Sequence, residues 1–272
     1  MEPIVVTDSA NRNICIRVAS DELVVTETRY AAGERGPDLH VHHEHVDCFY
    51  VLAGALTLSL QDGDRVLGPG SFALVPTDVV HTFRNDGPDD LRFFNFHAPG
   101  MGFDRYLRGL YDAEFAVPFD QHPASEEGWR DPGLVIAGTG ELIAERPSVD
   151  IVLLADATEL GISSSRAEAG GPSPPPHLHP RHGESFCVLE GEMAFAVDGE
   201  EVTATAGSWV YVPPGAVHTF WFPGTSGARF LTVHTPSFGW GNYLRALNHA
   251  RTDDDLVAAR AAFDQVPAEE AV

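Results

Sequence analysis

No lysine occurs in the 272 residues; all 17 basic residues are arginine. That excludes side-chain Schiff-base chemistry and a lysine general base. Cysteine is scarce as well. Cys15, Cys48 and Cys187 are scattered and odd in number, and form no C-x-x-C pair. They read as free thiols in a reducing compartment, not as a disulfide scaffold. Positive charge is outnumbered, with 40 acids giving a formal charge of −23. So acidic a chain has no basic face for nucleic acid or for an anionic membrane surface. No apolar run approaches the ~18 residues of a membrane span. The opening MEPIVVTDSA lacks the basic region and long apolar run of a signal peptide. The expectation is a cytoplasmic protein without nucleic-acid or membrane partners.

What is present is a repeat. His40-Val-His42 recurs as His177-Leu-His179, an offset of 137 residues. At the same offset, without a gap, FYVLAG (49–54) falls on FCVLEG (186–191), GSFALVP (70–76) on GSWVYVP (207–213), and VHTF (80–83) on VHTF (217–220). Residues 13–110 thus match 150–247, which marks a tandem duplication. We expect a first domain over 1–112, a Pro- and Gly-rich linker over 113–145, and a second domain with a helical tail over 146–272. Short β-rich runs between turn signals (DGD, PGS, NDG, DGE, PPG) predict all-β domains, closed or sandwiched. After residue 241 the apolar spacing becomes helical, which predicts one or two helices.

The stretch HVHHEHVD (40–47) carries four histidines and two acids. Aligned with HLHPRHGE (177–184), it gives His40, His42 and Asp47 against His177, His179 and Glu184. His81 and His218 follow at equal spacing. Alternate residues of a strand share a face, so each H-x-H points both imidazoles one way. Three neutral imidazoles and a carboxylate suit a divalent transition metal with open positions. A pocket whose histidines only hydrogen-bond is the alternative.

These residues resemble the cupin superfamily, and the duplication resembles a bicupin. The matching positions are His177, His179, Glu184 and Gly191, then Gly207, Pro213, Gly215 and His218. In the first copy they are His40, His42, Asp47 and Gly54, then Gly70, Pro76, Asp78, His81 and Asn85. Three departures stand out: Asp47 for Glu, Asp78 for Gly, and Phe222 for Asn. The resemblance implies two double-stranded β-helix (jelly-roll) barrels with a few peripheral helices. It also implies one divalent metal per domain (Fe, Mn, Ni, Co, Cu or Zn). The quercetinase-like branch implies a dioxygenase that takes dioxygen and an aromatic or enol-type small molecule, with Glu184 or Asp47 as ligand and base. Non-oxidative isomerisation, cyclisation or decarboxylation, and simple small-molecule binding, use the same residues. The oligomer is open between monomer and homodimer.

Strand parity places Phe49 and Val51 on the face of Asp47, and Phe186 and Val188 on that of Glu184. Phe83 and Phe220 follow the third histidines by two. All six are expected to line a substrate pocket, with ordinary core as the alternative. His43 and His45 read as rim residues, and His122 and His249 as surface. His97 and His234 either support the ligands or merely end a strand. Arg29 and Arg166 read as anion grips or surface ion pairs. Phe103 to Arg108 and Trp240 to Arg245 are expected to clamp one copy to the other.

Overall fold

The computed structural model describes residues 3–115, 117–124 and 136–270. It divides into two compact units, Met1–Thr139 and Gly140–Val272. All the strand pairs set out below are antiparallel.

In the first unit, β1 (Ile4–Asp8), β2 (Arg12–Ala19) and β3 (Val24–Tyr30) form a meander, and β4 is the two-residue strand His40–Val41. Then come β5 (Val46–Ala53), β6 (Leu56–Leu60), β7 (Gly63–Leu67), β8 (Phe72–Val75), β9 (Thr82–Arg84) and β10 (Leu91–Ala98). Helix α1 (Phe103–Gly109), β11 (His122–Pro123) and β12 (Ile136–Gly138) complete it. One sheet runs β1-β2-β3-β10-β5-β8-β12, and a second runs β7-β6-β9. Apolar side chains from both, including Phe49, Leu56, Leu58, Ala73, Phe83 and Phe93, form one core. This is a jelly roll, the two-sheet solution for many short strands that each bury one face.

The second unit repeats the plan. Its strands are β13 (Glu141–Arg146), β14 (Val149–Asp156), β15 (Gly161–Ala167), β16 (His177–Leu178) and β17 (Gly183–Val197). β18 (Glu200–Thr205), β19 (Trp209–Val212), β20 (His218–Trp221) and β21 (Ala228–Thr235) follow. Then come α2 (Trp240–His249), α3 (Asp253–Ala262) and β22 (Val266–Pro267). The single strand β17 does the work of β5 and β6, pairing β21 and β19 at one end and β18 and β20 at the other. At the change of sheet Gly191 has φ 75°, and a Cβ there would lie 2.0 Å from the Gly227 carbonyl oxygen. Only glycine fits that crossing.

The expected linker is divided between the units. β11 returns to pair with β4, β12 pairs with β8, and β13 opens the second unit on β14. The remainder of that stretch lies outside the described residues. No helix among the described residues is long and apolar enough to cross a membrane. All three cysteines are buried, and none of them forms a disulfide.

Candidate metal centres

Each unit brings its four candidate ligands together. His40, His42, Asp47 and His81 form one buried cluster, and His177, His179, Glu184 and His218 the other. Within each, the four donor atoms lie within 4.8 Å of one another. Strand pairing does part of this. His40 stands directly across from His81, and His177 from His218. The imidazole centroids of each pair are 4.3 Å apart. The carboxylates open β5 and β17 beside them.

The Nδ1 atoms decide what the clusters can do. His40 donates to the Asp38 carbonyl, His81 to Val79, His177 to Pro175, His179 to Asp264 and His218 to Ala216, at 2.9 to 3.2 Å. His42 donates to the Asp120 carbonyl. A carbonyl only accepts, so each Nδ1 carries a hydrogen and each Nε2 faces the cluster; there His81 and His218 donate from Nε2 to Asp47 and Glu184, contacts that a shared ion would replace. Metal-binding histidines are oriented in this way. Nε2 of His42 is buried with no hydrogen-bond partner, a cost that an ion would relieve.

Spacing around the carboxylates is right for a shared ion. Glu184 Oε2 lies 2.8 Å from His218 Nε2 and 3.3 Å from His179 Nε2. Asp47 Oδ2 lies 3.2 Å from His81 Nε2 and 3.8 Å from His42 Nε2. Two ligands ~2.1 Å from one ion at near-octahedral or tetrahedral angles stand roughly 3.0 to 3.4 Å apart. The shorter Asp47 therefore reaches the cluster on slightly wider spacing. Asn95 holds its other oxygen, donating from Nδ2 to Asp47 Oδ1 and to the Cys48 carbonyl. Thr232 stands at the matching place in the second unit, where Glu184 Oε1 instead faces His234 Nε2 at 3.4 Å.

Electrostatics keep the donors ready. Burial, then the neighbouring imidazoles, pushes His40 down to about 3. Burial and His218 push His177 down to about 4. Burial lowers His218, but its hydrogen bond to Glu184, the Glu184 charge, the Ala216 carbonyl and Asp198 together raise it. Burial opposes the charge of Glu184, but His234, His179 and His218 hold it well below the carboxylate range. Asp47 is lowered likewise by His97, His42 and His81 against burial. At neutral pH both clusters thus pair an ionised carboxylate with at least one firmly neutral imidazole.

Other expected site residues fall elsewhere. Phe49, Val51, Phe186 and Val188 are fully buried in the two cores and do not reach the cavity walls. Parity gave their face correctly, but that face fills with packing two residues beyond the carboxylate. Phe83 and Phe220 do line the cavities. His45 is no rim residue: it and its counterpart His182 are both 0% exposed. His97 and His234 are buried beside the carboxylates and line the cavities, packed on Phe103 and Trp240 at 3.5 and 4.0 Å between centroids. Arg29 and Arg166 make surface ion pairs with Asp90 and Asp150. Phe103, Tyr106 and Leu107, and likewise Trp240, Tyr243 and Leu244, form walls of their own unit's cavity.

One segment escaped the sequence reading. Phe119-Asp-Gln-His-Pro123 and Phe263-Asp-Gln-Val-Pro267 strap the two centres identically. Pro123 pairs with His40 and Pro267 with His177. Besides the carbonyl that holds His42, Asp120 accepts from the amides of His43 and Glu44 and from His45 Nδ1. Asp264 accepts from the amide of Arg181 and from His182 Nδ1, and its carbonyl holds His179. Phe119 packs on His42 and His45, and Phe263 on His179 and His182. The signal was FDQ-x-P repeated at an offset of 144, seven residues off the main diagonal.

The cavities beside the centres differ. The first encloses about 160 Å³. The second encloses about 360 Å³, walled by Phe220, Phe222, Phe230, Trp240 and Leu244. Asn85 in the first unit is fully buried and donates to three carbonyls. Phe222 replaces that polar knot with an apolar wall.

The cupin domain model matches residues 26–97 and 165–234, more than half of the chain and once in each unit. This chain belongs to the cupin family. Among curated relatives, a quercetin 2,3-dioxygenase of Bacillus subtilis is 25% identical over 219 residues, covering 67% of this cupin and 64% of the relative. A quercetin 2,3-dioxygenase of Aspergillus japonicus is 38% identical over 55 residues, 18% of this chain and 16% of that one. The chain thus spans less than two thirds of the length of these relatives. Among solved structures, an oxalate decarboxylase of Bacillus subtilis superposes with a TM-score of 0.62 at 15% identity, covering 85% of this chain and 74% of that one. AerE from Microcystis aeruginosa has a TM-score of 0.62 at 14% identity, covering 86% and 96%. The bicupin fold and two metal-capable sites, one per domain, are common ground with metal-dependent enzymes.

Proposed function

We propose that this cupin is a metal-dependent dioxygenase acting on an aromatic or enol-type small molecule, with the second unit as the reacting one. The observation that carries the reading is a pre-oriented set of three imidazoles and one carboxylate opening onto an aromatic, apolar cavity. His177, His179, Glu184 and His218 would hold the ion there, and His40, His42, Asp47 and His81 a second one. A divalent transition metal supplies Lewis acidity toward an enol oxygen and a path for electrons to dioxygen. The chain's own residues do the rest. Glu184, ionised and free of an Asn95-like tether, accepts the enol proton. Phe220, Phe222, Phe230 and Trp240 exclude water and hold a flat ring against the centre. Asp47, pinned by Asn95 beside a smaller cavity, suits a supporting centre. Three buried cysteines without a disulfide suit the reducing cytoplasm.

The test is oxygen consumption with quercetin and smaller aromatic enols. Uptake should stop on chelation and return when Fe(II), Mn(II) or Ni(II) is restored. Turnover that proceeds unchanged without oxygen would replace this reading with a non-oxidative isomerase, cyclase or decarboxylase.

A further inference from the structure

The two cavity walls differ in how their arginines are used. In the first unit the wall carries Arg12, and its guanidinium is satisfied. Nε and Nη2 donate to Glu34 Oε1 at 3.0 and 2.6 Å, and Nη2 also donates to the Arg35 carbonyl. In the second unit the wall carries Arg260, from the last turn of α3. It has no counterpart in the first copy, because the strap offset of 144 sets it on Ala116. Among the described residues no carboxylate pairs with Arg260. Beside it the Tyr243 hydroxyl donates to Gln265 Oε1 at 2.6 Å. All three residues line the cavity that also holds His177, His179 and Glu184. Arg146, exposed at the same cavity, donates to Asn248 and likewise meets no carboxylate among the described residues.

A half-buried guanidinium against aromatic walls, with no counter-ion, is costly. It is more telling in a chain of charge −23, where surface acids are plentiful partners. The guanidinium fork fits a carboxylate through two parallel hydrogen bonds. Arg260 stands in the cavity wall with Tyr243 and Gln265, and no carboxylate among the described residues occupies its fork.

We infer that the second cavity takes an organic acid: a planar aromatic or enolic molecule whose carboxylate sits in the fork of Arg260. Its opposite, enolic end meets Glu184, and that half of the inference rests on the metal-enzyme reading above. The carboxylate half stands on the cavity alone. At about 360 Å³ the space suits a ligand of one or two rings. Specificity is then divided. The apolar wall accepts the ring, and Arg260 selects charged molecules over neutral ones of the same shape.

The experiment is calorimetric titration of the full-length protein, its metal content measured, with cinnamate and phenylpyruvate and with the methyl ester of each. Wild type should bind the acids at least about tenfold more tightly than the esters, the value of hydrogen bonds to a charged group. In Arg260→Gln the acids should weaken to the level of the esters, with ester binding and metal content unchanged. Arg260→Lys, which keeps the charge but not the fork, should fall between. Equal binding of acid and ester by metal-loaded wild type overturns the arginine site and leaves the metal reading standing. So does full acid preference in Arg260→Gln. Acid preference that depends on Arg260 in protein containing no metal upholds the arginine site and overturns the metal reading.

Discussion

Six backbone carbonyls set the chemistry of the six ligand histidines. Each takes the Nδ1 hydrogen, so each Nε2 faces the centre of its own cluster. The clustering of those histidines was legible because duplication supplied an internal alignment: His43 and Glu44 drop out against Pro180 and Arg181, and the candidate ligands remain. His45 and His182 were not legible. They sit in a bend, where polar residues are ordinarily exposed, and their partners Asp120 and Asp264 lie 75 and 82 residues away. On the proposed reading Glu184 has the narrowest task, serving as both ligand and proton acceptor. Glu184→Gln keeps the shape and removes the charge. It should lower turnover by at least about 100-fold, the usual weight of a positioned general base. Steady-state oxygen uptake, normalised to measured metal content, checks this. An unchanged rate per bound metal would show that the proton goes elsewhere.

At the level of elements, short β-rich runs between turns foretold the strands well. FYVLAGALTLSL became β5 and β6, CVLEGEMAFAV most of β17, and the tail gave α2 and α3. Parity failed only where it was asked to separate pocket from core, since Phe49 and Phe186 share the inner face with the ligands yet lie deeper. The straps were missed for a different reason. Each lies far along the chain from the histidines it holds, and the seven-residue slip hides FDQHP and FDQVP from an ungapped comparison. Their role gives a prediction. Asp264→Ala removes the acceptor for the Arg181 amide and for His182 Nδ1, and so loosens the carbonyl that holds His179. Metal affinity of the second centre should fall by roughly 10- to 100-fold. Competition with a chromophoric chelator measures this, and Asp264→Asn, which still accepts hydrogen bonds, should recover part of the loss. Undiminished affinity in Asp264→Ala would show that the strap is passive.

Across the whole molecule, one fold appears twice with different endowments. The first unit has a small cavity, a pinned Asp47 and a satisfied Arg12. The second has a larger apolar cavity, a freer Glu184 and an Arg260 with no carboxylate partner among the described residues. Buried histidines also give the whole chain a pH signature once metal is removed. His45, His177 and His182 are held near 4 and His40 near 3 by burial, against an ordinary value of 6.5. The unfolded chain therefore binds more protons between those values, and stability falls as pH drops from 6.5 toward 4. His218 opposes the trend, its folded value being raised. Below that window Glu184 and Asp47, depressed in the fold, continue the loss. Thermal melts of chelated protein should show Tm declining through this range. His97 and His234 are lowered by burial as well. His182→Gln, lacking one of these six groups, should decline less steeply; an identical slope would remove these histidines from the explanation. The central claim, that both histidine–carboxylate sets hold metal, has a more direct test. Elemental analysis of the purified protein should find about two divalent transition metal ions per chain, falling to about one in His40→Ala and in His177→Ala and to none in the double variant. Metal content that neither substitution lowers would contradict it.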